Sequence, residues 1–316
     1  MPHYDEKPTA ESIEDCRLYL KNAWSGAHAL WAEADSFYAR SYTLWPKHPQ
    51  RPDYKPATPT NIVDRSSDAQ LTFDMRVHRD PRSSSVQEQE RSDKIERAIY
   101  AILEDSSLYE PTLPFNQAWR HLVHYRYTVL EGPIVAWGAR PVEPKHAPAE
   151  DEETNDGRRA IFQAQLQNWN PIRIRAPHPS NVLMDPEEKQ PPYAVKVVTM
   201  PAWKLHDLTK NKANPGPGRR RTNAVVYEYG DKPYSNVTIL DYWTKDWHSV
   251  KLTGMDGGGG DILWTERNPW GFVPFCHAFA GSGLQLTNAQ TFDPRYFAMP
   301  LLSPIMDSLR MQAQHT

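Results

Sequence analysis

The sequence predicts an α+β protein in which amphipathic helices come first and an antiparallel-rich sheet follows. Three observations predict it. Apolar residues recur at spacings of three and four over 11–45, and from Pro171 the period drops to two in several short runs. The third is the 29 prolines, a density that shortens elements and fills connections.

A chain of 316 residues holds one large domain or two smaller ones, and when compact buries about three quarters of the surface that its unfolded form exposes. The formal net charge of -3 offers no global basic field for nucleic acid. Cys16 and Cys276 lie far apart behind a polar, acidic N-terminus, which points to a reducing compartment without disulfides. No apolar run approaches the ~18 residues of a membrane span, so a soluble protein with no membrane partner is expected. Eleven tryptophans need large partners, in a core, at a subunit interface or against a ligand.

Residues 11–45 form the first helix. Ile13, Cys16, Leu20, Trp24, Ala27, Trp31, Ala34, Tyr38 and Trp45 make one apolar stripe, interrupted at Ser41. Its aromatics Trp24, Trp31, Tyr38 and Trp45 stand seven apart. Such a stripe lies on its own core or docks onto a neighbouring subunit, which makes these four candidate interface residues. Gly26 weakens the middle and permits a bend. "PKHPQRPDYKPATPT", 46–60, reads as an extended linker to a body at 61–300. After a short alternating stretch from Leu71 to Val77, Ser85 and Glu88 cap a helix with Ile95, Ile99, Ile102 and Leu103 on one face. A second helix over about 115–131 buries Trp119, Leu122 and Val129 and stops at Gly132-Pro133.

"PIVAWGARP" then reads as a strand, and "AEDEETNDG", 149–157, as an acidic solvent-facing loop without the spacing of a calcium loop. A short helix follows with Phe162, Leu166 and Trp169 inward. Among the period-two runs, "IRIR" alternates, "YAVKVV" puts Tyr193, Val195 and Val197 on one face, and "AVVYEY" does the same with Val225, Tyr227 and Tyr229. Pro201 suits the first turn of a short helix bearing Leu205 and Leu208. "VTILDYWTKDWHSVKL", 237–252, is a hairpin turning near Lys245-Asp246; the glycines at 257–260 are a flexible tip, and "DILWTE" resumes a strand.

Catalysis needs groups that converge, and few spacings here force convergence. His121 and His124 share a helix face, but a metalloprotease helix spaces its histidines by four around a glutamate, so they read as surface or interface histidines. Dinucleotide, P-loop and nucleophile-elbow motifs are missing, and no cofactor or metal is expected. Asp53, Asp64 and Asp68 are scattered; a glycosidase pair is defined only in space, and tryptophan content alone raises a sugar-binding alternative. Arg219, Arg220 and Arg221, in a loop after "NPGPG", are the one concentrated basic cluster and the candidate phosphate contacts.

The stretch "ERNPWGFVPFCHAFAGSG" pairs Cys276 with His277, but neighbours on a strand point to opposite faces, so one of them is expected to be buried and they cannot act together. No helical pattern follows Gly281-Ser282-Gly283, so it is not a phosphate cradle. Asn268-Pro269-Trp270-Gly271 reads as a turn feeding the strand "FVPFCHAF", with Pro274 at an edge or strand start.

With these elements placed, the chain resembles the portal (head-to-tail connector) proteins of tailed bacteriophages. "NPWGFVPF", 268–275, is similar to the family's Asn/His-x-aromatic/Leu-Gly-apolar-Pro-apolar strand. The run 169–208 resembles its strand, turn, loop, second strand and short helix; 237–252 resembles the aromatic hairpin that follows, and "TNIVDRSSDAQLTF" the segment that threads into the wing domain. The order of these motifs over roughly 60–310, more than any one of them, carries the likeness.

The resemblance implies a non-enzymatic subunit of a dodecameric ring at one capsid vertex of the virion, a conduit for genome packaging and ejection and an attachment point for the tail. The implied partners are further copies of the chain, the major capsid protein, terminase, head-tail adaptors and double-stranded DNA. It implies a wing-like α+β domain over 61–300 and, in Leu302, Ile305, Met306 and Leu309 within 301–316, the start of the first stem helix. The rest of the stem, the clip and the crown would be absent, so a truncated N-terminal portion is expected. Arg219 to Arg221 would then face DNA or capsid, and the aromatic stripe neighbouring subunits.

Overall fold

In the computed structural model, residues 6–42, 55–71, 80–109, 112–135, 144, 152–169, 172–188, 190–205, 234–253, 260, 262–280 and 293–315 are described. Over these the chain is α+β, with a helix at its N-terminus and antiparallel sheets, as the sequence predicts. It divides into two compact units, one of residues 1–75, 115–130 and 176–316, the other of 76–114 and 131–175, so the expected 61–300 domain contributes to both.

In the first unit, helix α1 (Ala10–Tyr38) begins at a reciprocal cap. Thr9 Oγ1 accepts from the Ser12 amide at 3.1 Å, and Ser12 Oγ accepts from the Thr9 amide at 2.9 Å. The helix is continuous through Gly26, over which the Arg295 side chain lies. It buries Ile13, Cys16, Leu20, Trp24, Ala27, Trp31, Ala34 and Phe37. The stripe thus follows the sequence pattern to Ala34 and then departs from it. A helix of 3.6 residues per turn drifts by about 20° in seven residues, so a strict series of seven has rotated off the buried line by its third member. Phe37 takes the inward place instead. The helix ends at Tyr38, well short of residue 45, and Arg40 beyond it adopts left-handed backbone with φ 54°.

Trp24 and Trp31 are each about 1% exposed, so their partner is the core of this same chain and not a neighbouring subunit. Tyr38 is exposed and donates to Asp64 at 2.9 Å; Trp45 lies outside the described residues.

Five antiparallel strands, β3 (Val182–Met184), β4 (Tyr193–Pro201), β5 (Asn236–Thr244), β6 (Trp247–Leu252) and β7 (Ile262–Arg267), pair in that order. The β5–β6 hairpin turns at Lys245-Asp246 as expected, with Trp243 opposite His248. Period-two alternation gives the sheet two apolar faces. Tyr193, Val195, Leu240 and Tyr242 join the α1 stripe, Tyr127 and Val129 of strand β1 (Tyr127–Val135), and Phe275 of β8 (Phe275–Phe279) in the main core. Val237, Ile239, Val250 and Leu252 face the other way, against Ala202 and Leu205 from a helical turn at 202–205. Leu205 is buried as expected, and Leu208 lies outside the described residues.

A third cluster joins Ala34, Phe37 and Tyr42 to Val63 of α2 (Thr58–Leu71) and to Leu302, Met306 and Leu309 around the last helix, α7 (Met306–His315). Of the expected terminal stripe only Ile305 points outward. Helix α2 occupies the end of the expected linker and reaches Leu71, because the spacing Ile62, Val63, Ser67 is helical once it faces α1; the rest of the stretch read as alternating, to Val77, lies outside the described residues. Residues 46–54 are outside the described set.

Helix α4 (Pro114–Tyr125) is shorter than predicted. It stops where Arg126 turns to φ 56°, and Val129 belongs to β1. Its inward face carries Ala118, His121, His124 and Tyr125, while Trp119 and Leu122 are only half-buried.

In the second unit, Ser85 Oγ accepts from the Glu88 amide at 3.3 Å to open α3 (Val86–Tyr109), whose Ile95, Ile99, Ile102 and Leu103 are half-buried on one face. The end of β1 pairs with β2 (Ile172–Arg175), and Gly132 lies within β1 where a side chain would meet the Arg173 carbonyl at 3.2 Å. Gly132-Pro133, a cis peptide, therefore sits inside a strand rather than ending a helix. Helix α5 (Glu152–Asn168) begins within the expected acidic loop, since Glu152 and Glu153 in a first turn complement the helix dipole.

One ion pair ties α1 to the sheet. Lys251 of β6 is about 1% exposed, and its Nζ lies 3.0 Å from Glu14, which Arg17 also contacts. Burial pushes the Glu14 carboxyl up, but Arg17 and Lys251 outweigh it and hold it below its ordinary value. Glu14→Ala leaves the Lys251 charge without this partner and is expected to cost about 3–5 kcal/mol in denaturant unfolding, whereas Glu14→Leu with Lys251→Met recovers most of the loss.

Candidate functional site

The turn singled out by the sequence is held by its first residue. Asn268 Nδ2 donates to the carbonyl of Thr244 at 2.7 Å and to that of Phe272 at 2.8 Å, and Asn268 Oδ1 accepts from the Trp270 amide at 3.0 Å. The Asn268 amide itself donates to Asp246 in the hairpin turn at 2.9 Å. Thus one side chain closes the Pro269-Trp270 turn and fastens it to the β5–β6 hairpin. Gly271 exits at φ 67°, a conformation that favours glycine. The sequence places Asn268 in this turn but does not show that its side chain fastens the turn to the hairpin, although asparagine at the start of a turn is itself a signal.

On β8, Phe275, His277 and Phe279 point inward while Cys276 and Ala278 are exposed. Cys276 and His277 are on opposite faces, as strand geometry requires, and His277 is the covered one, though only half-buried. It binds two groups other than the cysteine. His277 Nε2 donates to the Glu188 carbonyl at 2.9 Å, which leaves Nδ1 to accept from the Tyr127 hydroxyl at 3.2 Å. Burial, offset by the Glu188 carbonyl, lowers its pKa.

Two polar clusters were not legible in the sequence. In the five-stranded sheet, His248 Nε2 is 2.8 Å from Asp241 and Nδ1 is 3.0 Å from Glu266, with the ring stacked on Trp243 at 3.7 Å. Burial alone would lower the His248 pKa, but the Asp241 and Glu266 carboxylates overcome it and hold it at about 9. Burial raises Asp241, and the facing imidazolium brings it below its usual range. With both nitrogens donating, this ring is a structural cation and not a proton acceptor.

The second cluster joins α1, α4 and residues 178–180. Asp35 Oδ1 accepts from the Tyr125 hydroxyl at 2.7 Å and lies 3.0 Å from His124 Nε2. The Tyr125 oxygen is 2.8 Å from His178 Nε2, and His178 Nδ1 is 2.6 Å from Ser180 Oγ. Gln117 Nε2 is 2.8 Å from His121 Nε2. His121 and His124 are 5% and 7% exposed, so the expected surface histidines are buried; the polar groups that α1 and His178 bring to this face make their burial tolerable. Among the described residues no group of three or more His, Cys, Asp and Glu could hold a metal ion.

Arg219, Arg220 and Arg221, the "AVVYEY" strand and Gly281-Ser282-Gly283 lie outside the described residues. No family model matches the chain, and no curated protein matches it.

Two measurements check these sites. Asn268→Ala orphans carbonyls of the hairpin and of its own turn and is expected to cost about 1–3 kcal/mol in chemical unfolding. The His248 contribution is complete below about pH 6.5, the free imidazole value, and fades as pH rises through 9. The thermal midpoint is therefore expected to fall between about pH 7 and pH 9.5, and His248→Gln to lack that part of the fall.

Proposed function

We propose that this chain is a structural subunit of a tailed-phage portal ring at the capsid vertex, a conduit for genome packaging and ejection and an attachment point for the tail. The observation that carries the reading is the Asn268-Pro269-Trp270-Gly271 turn, fastened to the aromatic β5–β6 hairpin and feeding β8. The order of elements before it supports the same reading. Strand β2 leads to a 3-10 turn at Pro179–Asn181, then to β4 and a helical turn at 202–205, the succession that the resemblance implies over 169–208, with the short strand β3 added between turn and loop.

On this reading the chain is not an enzyme, its partners are further copies of itself, the major capsid protein, terminase, head-tail adaptors and double-stranded DNA, and it resides in the virion. Arg219, Arg220 and Arg221 are the residues assigned to DNA or capsid. Trp24 and Trp31, as core residues, give the sugar-binding alternative no support.

Immunoelectron microscopy of particles from the cell that encodes the chain tests the reading. Antibody against the chain is expected to label one vertex per particle, where the tail joins. Purified particles without label, or with label spread over the shell, overturn it. Replacing Arg219, Arg220 and Arg221 by alanine is expected to reduce packaged DNA per particle or the yield of particles; unchanged yield and DNA content remove the role assigned to these three.

A further inference from the structure

The buried histidines around Asp35 differ from His248 in one respect that has a consequence for how the fold responds to acid. His248 faces two carboxylates, whereas three imidazoles, His121, His124 and His178, share Asp35, and His28 adds a fourth ring beside His178. Hydrogen bonds constrain where protons can sit. Tyr125 donates its proton to Asp35, so its oxygen accepts from His178 Nε2–H. His178 Nδ1 then takes the Ser180 hydroxyl at 2.6 Å and the Ser180 backbone amide at 3.3 Å. His121 Nε2 faces the donating amide nitrogen of Gln117, and a proton placed there would set donor against donor. His121 Nδ1 and His28 Nε2 are buried without a partner, so an added charge would find no acceptor at them.

We propose that this cluster is an acid-sensitive latch, which lets helix α4 and the segment 176–181 come away from α1 as the pH falls below neutrality. The latch joins three segments that do not follow one another in the chain, and the groups that face it come from each. Helix α1 contributes Lys21, His28, Asp35 and Tyr38; α4 contributes Arg120, His121, His124 and Tyr125; the third segment contributes His178; and Asp64 and Asp68 of α2 face Tyr38 at the margin. The rings of His121 and His178 are 5.7 Å apart, so a charge on one opposes a charge on the other. Helix α4 also holds the chain's end, where the Leu301 amide donates to the His124 carbonyl at 3.1 Å.

The titration of the cluster agrees in sign. Burial, with His178 and Lys21 adding to it, lowers His28 to about 4, and burial with His178 and His124 lowers His121 to about 3. Burial also lowers His178, against the pull of Asp35. Once opened, these rings regain the free value near ~6.5, so the open state binds more protons than the closed one at every pH between. Opening is therefore independent of pH above neutrality and grows as pH falls below ~6.5, by up to about tenfold per pH unit for each histidine released.

Hydrogen exchange read by mass spectrometry, corrected for the intrinsic rate, tests the latch on the intact protein. The opening constants of amides in 115–125 and 179–182 are expected to rise at least about tenfold from pH ~7 to pH ~5, while those of β5 and β6, held by the His248 imidazolium, stay level. The double variant His121→Gln, His178→Gln is expected to lose most of that rise. A wild-type rise below threefold, or a double variant that keeps the full rise, overturns the proposal. Should the double variant fail to fold, NMR titration of the wild-type imidazoles decides: His121 still neutral at pH ~5 in the closed state supports the latch, and its titration near ~6.5 without loss of protection overturns it.

Discussion

Two tryptophans on one helix face must be buried, and each carries an N–H that is costly to bury unsatisfied. Much of the first unit follows from how α1 meets this demand. Trp24 donates to the Met184 carbonyl at 2.7 Å, at the end of β3, and Trp31 donates to the Ala298 carbonyl at 2.8 Å, just after the short helix α6 (Pro294–Phe297). The indoles thus fix two segments far from α1 in sequence while their rings pack on Tyr127, with centroids 4.6 and 5.6 Å away. Burying each ring with its donor satisfied makes the helix an axis around which sheet, β1 and β8 are arranged.

Buried charge is handled in two opposite ways around that axis. Lys251 and His248 are kept as cations because carboxylates reach them from neighbouring elements. His28 and His121 are kept neutral because a buried ring nitrogen of each meets a donor, or nothing polar at all. The same side chain therefore stabilises the sheet as an ion and the α1–α4 contact as a neutral ring. Supply of acceptors decides between them, since desolvation works against the charge in both places.

A rigid turn on a hairpin is also what gives the portal reading its physical content. Asn268 orders its own turn and the hairpin end with the same amide, so the "NPWGF" stretch is presented as a fixed feature. A subunit that must meet identical copies of itself gains from such fixed features, because little conformational freedom is then lost on assembly. Cys276 and His277, the pair that first suggested chemistry in this stretch, serve different faces of β8, and the histidine's nitrogens are used by Tyr127 and Glu188.

The sequence by itself determined what depends on neighbours along the chain: the α1 stripe as far as Ala34, the Ser85 cap, the β5–β6 hairpin and its turn, the Pro269-Trp270 turn, and the alternation that parts Cys276 from His277. Periodicity and turn chemistry are local, and they survive folding when nothing distant opposes them. The tertiary structure alone decided where local signals were ambiguous or silent. It ended α1 at Tyr38 and α4 at Tyr125, made a helix of 58–71 by giving its apolar side a partner, and turned the acidic run at 152 into a helix start. It also assembled Asp241, His248 and Glu266 from three strands, and Asp35, His121, His124, Tyr125 and His178 from three segments. A charge or an imidazole carries no mark in sequence of what will face it, because its partner is chosen by strand register and helix packing.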